Sequence, residues 1–333
     1  MTTWTYRLHG IDVTSDIQLA EPLVSAAAGP ASERLRIVLE PPMRERVPAC
    51  LPLQAVELVR AVQGEQVVLL GGATAAGTYV ARWPGVMEAE LDAGRDVVTV
   101  RPDPEAPRDF VPVLVGASLL SFVLAMRGCL VLHASCVEIG GDAVAVVADS
   151  GGGKSTLSGM LCAGGTPFVS DDVLRFACAS PSGVVTVFRG SSEIRLRSTS
   201  SEVADVLAGF DRRTTADGRT AVRLPTIAAD ELALRCIVLP VLERDRDLCE
   251  REQLSASEAL MVLLSKLRVG AMSDAAFHAS HFEQLAELVN RVSVFRLRLP
   301  WARPLTRDHS AAFVAAVRAC AADACASGDH RSG

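Results

Sequence analysis

The chain has 333 residues, enough for two domains or one large one and enough to bury a proper core. Hydrophobic residues make up 49% of it and charged residues 22%, the balance of a globular protein rather than a disordered one. The net charge is −6 with signs mixed throughout and no Lys/Arg-rich block, which counts against a nucleic-acid binder and gives no reason to expect an anionic membrane surface as partner.

The N-terminus, MTTWTYRLHG, lacks the basic start and long apolar run of a signal peptide. Residues 1 to about 105 read as short strands at 4–9, 35–39, 66–70, 78–83 and 97–101, punctuated by Gly, Pro and Asp. Residues 26–32 and 41–52 read as loops. The segment RPDPEAPRD, 101–109, is rich in proline and charge and marks a domain boundary. The expected organisation is a small, mainly-β N-terminal domain over 1–105, a second domain over 106–328, and a flexible tail at 329–333.

Residues 111–126 are apolar or small almost throughout, but Arg127 interrupts them before the roughly 20 residues of a membrane span are reached. A buried helix over 112–126, closed by Gly128, is the better reading. Strands follow at 129–133 and 143–148, then a Gly-rich turn, a helix from Lys154 to about Ala163 and a strand at 167–170. That succession is the local unit of an α/β nucleotide-binding core. Later strands are expected at 184–189, 235–241 and 292–299. Helices are expected at 256–269, with Ser255 or Ser257 as N-cap and Gly270 past the end, at 274–289, and at 307–326. The nine cysteines form no C-x-x-C pair and mostly sit in apolar runs, so reduced, core-packed thiols in a cytoplasmic protein are expected.

The most specific segment is ADSGGGKST, 148–156, set against the phosphate-binding pattern G-x-x-x-x-G-K-[ST]. Consecutive backbone amides of Ser150 to Ser155 can curl around phosphate oxygens, and the following helix points its positive end at the same place. Lys154 supplies charge to the β- and γ-phosphates, while the Ser155 hydroxyl is a ligand for Mg2+. The candidate nucleotide-binding set is Asp149, Ser150, Gly151, Gly152, Gly153, Lys154, Ser155 and Thr156. Ala148 stands where the pattern has its first glycine, so the turn there must accept a Cβ. The bland alternative is a Gly-rich turn without a ligand.

Asp171 and Asp172 end an apolar strand, and in an open α/β sheet the C-terminal ends of strands line the ligand crevice. Two adjacent carboxylates can divide the work, one taking a proton from an attacking hydroxyl and the other holding Mg2+. The alternative is a helix N-cap. His133 closes the strand before the phosphate-binding strand; on spacing alone, such a lone histidine is more often structural than catalytic.

The string LHASCVEIGGDAVAVVADSGGGKSTLSGMLCAGGTPFVSDDVLRF, 132–176, resembles the HPr kinase/phosphorylase family, and more closely the HPr-kinase-related kinases encoded beside ribosomally made peptides such as lasso peptides. The likeness extends more weakly to 10–23, 188–197, 218–225 and 295–300. It implies an α/β, P-loop core of the HPr kinase C-terminal type, akin to phosphoenolpyruvate carboxykinase, behind a small mainly-β domain. It also implies an ATP- and Mg2+-dependent serine kinase acting on a precursor peptide or protein, with a homo-oligomer as a further expectation. Asp171 would be the general base, Asp172 would support Mg2+, and His133 would orient the aspartates or the phosphate. Glu193 would match a metal-facing glutamate and Arg195 the arginine beside it. The long glycine-rich signature of true HPr kinases is absent, which argues against the bacterial HPr protein as acceptor. Two other readings of the same residues are a kinase for a small metabolite such as free serine, and a nucleotide-binding regulator without transfer.

Overall fold

The computed structural model describes residues 2–21, 23, 33–178, 183–197, 206–244, 248–269, 272–301 and 307–328. Contacts divide the chain into two compact units. One comprises Met1–Cys129, Thr215–Asp217 and Val269–His281; the other comprises Leu130–Thr214, Gly218–Arg268 and Phe282–Gly333.

The first unit is built on one eight-stranded sheet. Its strands are β1 (Trp4–Leu8), β2 (Ile11–Ser15), β3 (Arg34–Leu39), β4 (Ala55–Gln63), β5 (Gln66–Thr74), β6 (Tyr79–Trp83), β7 (Met87–Leu91) and β8 (Val97–Pro102), in the order β1-β2-β3-β8-β7-β6-β5-β4. All five strands expected from the sequence are present, and three more join them. β2 alternates buried and half-buried residues and is tied to β1 by a tight hairpin, with His9 and Gly10 both at positive φ. β7 (MEAEL) carries two glutamates, which strands disfavour. Glu88 is nevertheless buried there, because Arg82 lies directly opposite on β6 and its Nε donates to the carboxylate at 2.7 Å. The expected loop at 41–52 is observed, while that at 26–32 lies outside the described residues.

The buried helix begins two residues earlier than expected. It runs as α1 (Phe110–Leu114), a π-helical turn (Val115–Leu119) and α2 (Leu120–Met126), and every residue of α2 is buried. Among the described residues no helix is long and apolar enough to cross a membrane.

The second unit is a mixed α/β fold. Its strands are β9 (Leu130–Leu132), β10 (Ala134–Ile139), β11 (Asp142–Val147), β12 (Phe168–Ser170), β13 (Leu174–Ala177), β14 (Thr186–Phe188), β15 (Glu193–Leu196), β16 (Arg212–Thr214), β17 (Thr220–Arg223), β18 (Glu231–Glu243), β19 (Glu250–Gln253) and β20 (Ser293–Pro300). Its helices are α3 (Lys154–Ala163), α4 (Ala256–Leu264), the Phe282–Arg291 half of α5 (Ala275–Arg291), and α6 (Arg307–Gly328). The main sheet runs β12-β10-β11-β18-β14-β13-β9, with β20 beside β18 and β19 beside β20. β11, β18 and β20 are mutually parallel, and the remaining pairs are antiparallel.

Alternation along β11 separates two cores. Ala143, Ala145 and Val147 face a cluster containing Ala259 and Leu263 of α4 and Leu285 and Leu288 of α5. Val144 and Val146 face a cluster with Leu157 and Leu161 of α3 and Phe313 and Val317 of α6. Helices therefore cover both faces of the sheet, as a largely parallel centre requires. A separate three-stranded sheet, β15-β17-β16, also belongs to this unit.

Two expectations are corrected. The chain does not pass from the strand at 129–133 straight to that at 143–148: Ala134–Ile139 is β10, paired with both β11 and β12. The helix expected over 256–269 ends at Leu264, although its N-cap is Ser255 with a complete capping box to Glu258. Beyond a turn, Leu267 bridges Leu132 antiparallel, so strand pairing overrides helix propensity. The expected stop at Gly270 lies outside the described residues. All nine cysteines are free thiols, and Cys136, Cys162, Cys178, Cys236 and Cys320 are buried.

Candidate active site

Three strand registers bring the conspicuous sequence elements together. Leu132 of β9 pairs with Leu174 of β13, Ala134 of β10 with Val147 of β11, and Cys136 of β10 with Ser170 of β12. The residues just beyond these pairs, His133, Ala148 onward, and Asp171–Asp172, therefore gather at the ends of these strands.

The loop after β11 has the form its composition demands. Gly153 caps α3 with φ 87°, a conformation that L side chains reach only with strain, and a Cβ there would lie 2.8 Å from Leu242. Ala148 is absent from the positive-φ residues, so a Cβ is tolerated where the common pattern has glycine. Its methyl is accommodated because Gly152 faces it: a Cβ on Gly152 would come within 2.9 Å of the Ala148 Cβ. The first turn of α3 leaves backbone amides without intrahelical partners, directed at the cleft.

Lys154 is 4% exposed and folds back on its own loop, Nζ donating to the carbonyls of Ala148 at 2.9 Å and Asp149 at 3.1 Å. Burial lowers its pKa, against the opposing pull of Asp171 and Asp172. The Ser155 hydroxyl lies 3.0 Å from both carboxylate oxygens of Asp171. Thr156, next in the chain, is 6% exposed.

The two aspartates have divergent environments. Burial, reinforced by the charge of Asp172, pushes Asp171 up to about 6, while the Ser155 hydrogen bond, Lys154 and the Arg195 amide pull the other way. Asp172 takes φ 65°, an uncommon left-handed geometry that aspartate tolerates better than most residues. Burial would raise its pKa too, but Arg195, Arg268 and His133 outweigh that and hold it below the usual carboxylate range. Arg195 donates to Asp172 Oδ2 at 2.7 Å. His133 Nδ1 lies 3.2 Å from the Asp172 carbonyl and 3.7 Å from Oδ1. Burial and then Lys154 depress the imidazole to about 4, so it is neutral near pH 7.

A cleft of about 200 Å3 is lined by His133, Ser150, Gly151, Gly153, Lys154, Ser155, Thr156, Asp172, Arg195, Leu196, Arg197 and Arg219, with Asp171 buried against Ser155 rather than lining it. Asp149 and Gly152 shape the loop without lining the cleft: the Asp149 carbonyl accepts from the Gly152 amide, and its carboxylate pairs with Lys266 at 2.6 Å. Glu193 is not among the residues that line the cleft. It opens β15, where it is buried and its carboxylate meets Arg213 at 2.7 Å and Arg223 at 3.4 Å.

Sequence reasoning missed Arg197, which donates to Ser150 Oγ at 2.7 Å, and the pair Lys266 and Arg268. The last two sit in LLSKLRVG, which reads as the basic end of a helix until Leu267 is seen against Leu132.

Among solved structures, the chain is similar to the HPr(Ser) kinase/phosphatase from Coxiella burnetii, over 60% of this chain and 96% of that one, at 12% sequence identity and a TM-score of 0.33. A likeness that faint transfers neither fold nor activity. No protein-family model and no curated protein matches the chain.

Proposed function

We propose that the protein is an ATP- and Mg2+-dependent kinase that transfers the γ-phosphoryl group to a serine hydroxyl of a peptide or protein, with a biosynthetic precursor peptide as the acceptor class. The observation that carries this reading is the contact between Ser155, at the head of the Gly-rich loop and α3, and the buried carboxylate of Asp171. A phosphate-binding loop alone would bind nucleotide; a base set against it gives a reason for transfer.

Phosphoryl transfer asks little covalent chemistry of a protein beyond positioning, charge neutralisation and a base. The loop amides and Lys154 hold the β- and γ-phosphates. Asp171 accepts the hydroxyl proton as the new oxygen–phosphorus bond forms, and the electrons of the bridging bond leave with ADP. A carboxyl raised toward neutrality is a better base than an ordinary aspartate. Asp172, fixed by Arg195, stays ionised. The neutral His133 imidazole orients the Asp172 segment through the Asp172 carbonyl.

The donor set fits Mg2+, which prefers hard oxygen ligands, takes one or two from carboxylates and completes its shell with phosphate and water. The Ser155 hydroxyl and Asp172 would hold it, and when bound it would neutralise phosphate charge. The β-rich first unit we assign as an acceptor platform; a soluble protein lacking 1–105 that still phosphorylates peptide would sink that assignment.

The test is label transfer from γ-labelled ATP with Mg2+, offered serine-bearing peptides and free serine in parallel. Label on peptide supports the reading, label on free serine alone moves the acceptor to a metabolite, and tight ATP binding without transfer to either contradicts it.

A further inference from the structure

After α4 the chain turns and runs back along the end of β9. Leu267 bridges Leu132, the Lys266 carbonyl accepts from the His133 amide at 2.9 Å, and the Arg268 amide donates to the Val131 carbonyl at 2.9 Å. Lys266 and Arg268 flank the single antiparallel bridge residue Leu267. The Nζ of Lys266 reaches the Asp149 carboxylate of the Gly-rich loop at 2.6 Å. On the other side of the bridge residue follows Arg268. Its field is felt by His133, Lys154 and Asp172, and Arg195 and Arg219 act on it in turn. All five of those neighbours line the cleft.

What sets Arg268 apart is the lack of a partner. Its Nε is buried with no hydrogen bond, and among the described residues its guanidinium makes no hydrogen bond or ion pair. Asp172 is the nearby carboxylate, yet it is engaged by Arg195. A guanidinium keeps its charge at any working pH. Held at this depth without a paired anion, such a charge is destabilising. Arg195, Arg219 and Lys154 add like charge around it. A polyanion entering the cleft would relieve all of these at once.

We propose that Arg268 is a contact for the terminal phosphoryl group of the bound nucleotide, and so the residue by which the cleft prefers a triphosphate to a diphosphate. This rests on the kinase reading above. The position follows from the neighbours: the loop amides and Lys154 take the inner phosphates, whereas Arg268 groups with Asp172 and His133 at the ends of β12 and β9. The transferable phosphoryl must lie between the loop and the carboxylates, among the groups on which the charge of Arg268 acts.

The experiment is equilibrium binding of ADP and of the non-hydrolysable β,γ-imido analogue of ATP, with Mg2+, to wild type, Arg268→Met and Arg268→Lys. Charged hydrogen bonds of this kind predict that Arg268→Met loses at least about tenfold in affinity for the analogue and less than about threefold for ADP. Arg268→Lys, which keeps the charge but not the fork, should fall between. The empty Arg268→Met protein should melt no lower than wild type, since an unpaired cation has been removed. An analogue-to-ADP ratio unchanged in either variant, or equal weakening of both ligands, overturns the assignment and leaves Arg268 a distant counter-charge for Asp172. Should Arg268→Met fail to fold, the ratio in Arg268→Lys decides alone. Wild type binding neither nucleotide overturns this inference together with the kinase reading; wild type preferring the analogue while the variants keep that preference overturns this inference only.

Discussion

The hydroxyl of Ser155 sits 3.0 Å from each carboxylate oxygen of Asp171, joining the first turn of α3 to the end of β12. This contact holds the proposed base and the proposed metal ligand against each other. It also sets a conflict between stability and chemistry, because Asp171 is buried where its charged form is disfavoured.

That conflict has a measurable sign. The folded state raises Asp171 from 3.8 to about 6, so it favours the protonated form. The corresponding stability is fully present below the ordinary aspartate value and is lost as pH rises through about 6. Asp171→Asn, neutral throughout, should therefore stabilise the empty protein above that pH by on the order of 2 kcal/mol. Thermal melts at pH 8 and pH 4 check it: the variant should gain several degrees at the higher pH and little at the lower.

Lys154→Met removes the cation that the loop holds against its own carbonyls. Nucleotide affinity should fall by about ten- to a hundredfold, the range of a charge-assisted hydrogen bond lost with its partner left behind. Calorimetric titration with ADP reads it, and unchanged affinity would remove Lys154 from the phosphate site.

Gly153→Ala tests the loop itself. The left-handed backbone alone costs about 1–2 kcal/mol for a residue with a Cβ, and the new methyl would meet Leu242 besides. Gly165→Ala, at φ 87° but in open space, carries the strain without the contact. Urea denaturation should rank Gly153→Ala clearly below Gly165→Ala, and only Gly153→Ala should weaken nucleotide binding.

Glu193→Gln separates two roles for one residue. With its carboxylate between Arg213 and Arg223, both about half exposed, the substitution should destabilise by on the order of 1 kcal/mol after screening is allowed for. The Mg2+ concentration needed for half-maximal transfer should not move. A large rise in that concentration, with stability intact, would put Glu193 on the metal instead.

Much of the site was legible because its chemistry is local. Lys154, Ser155 and the glycines before them are contiguous, and a strand before and a helix after are the context that pattern needs. Asp171 and Asp172 stand out because charge at the end of an apolar strand is unusual. What the sequence hid depends on pairing between distant segments. β10 begins with Ala134 and Ser135, weak strand formers that become a central strand only because β11 and β12 flank them. Glu88 reads as solvent-facing until Arg82 is found opposite. Arg268 reads as the last turn of a helix until Leu267 meets Leu132. Ala148, a departure from the common loop pattern, made sense only once Gly152 was seen facing it.

The central claim is that Asp171 takes the proton from a hydroxyl to which a loop-bound phosphoryl group is transferred. The most direct measurement is single-turnover transfer from γ-labelled ATP to a serine-bearing peptide by wild type and Asp171→Asn, with nucleotide affinity measured on the same samples. The account predicts near-equal affinity and a transfer rate about a hundred- to ten-thousandfold slower in the variant, the span of a lost general base. Transfer at the wild-type rate by Asp171→Asn would contradict it.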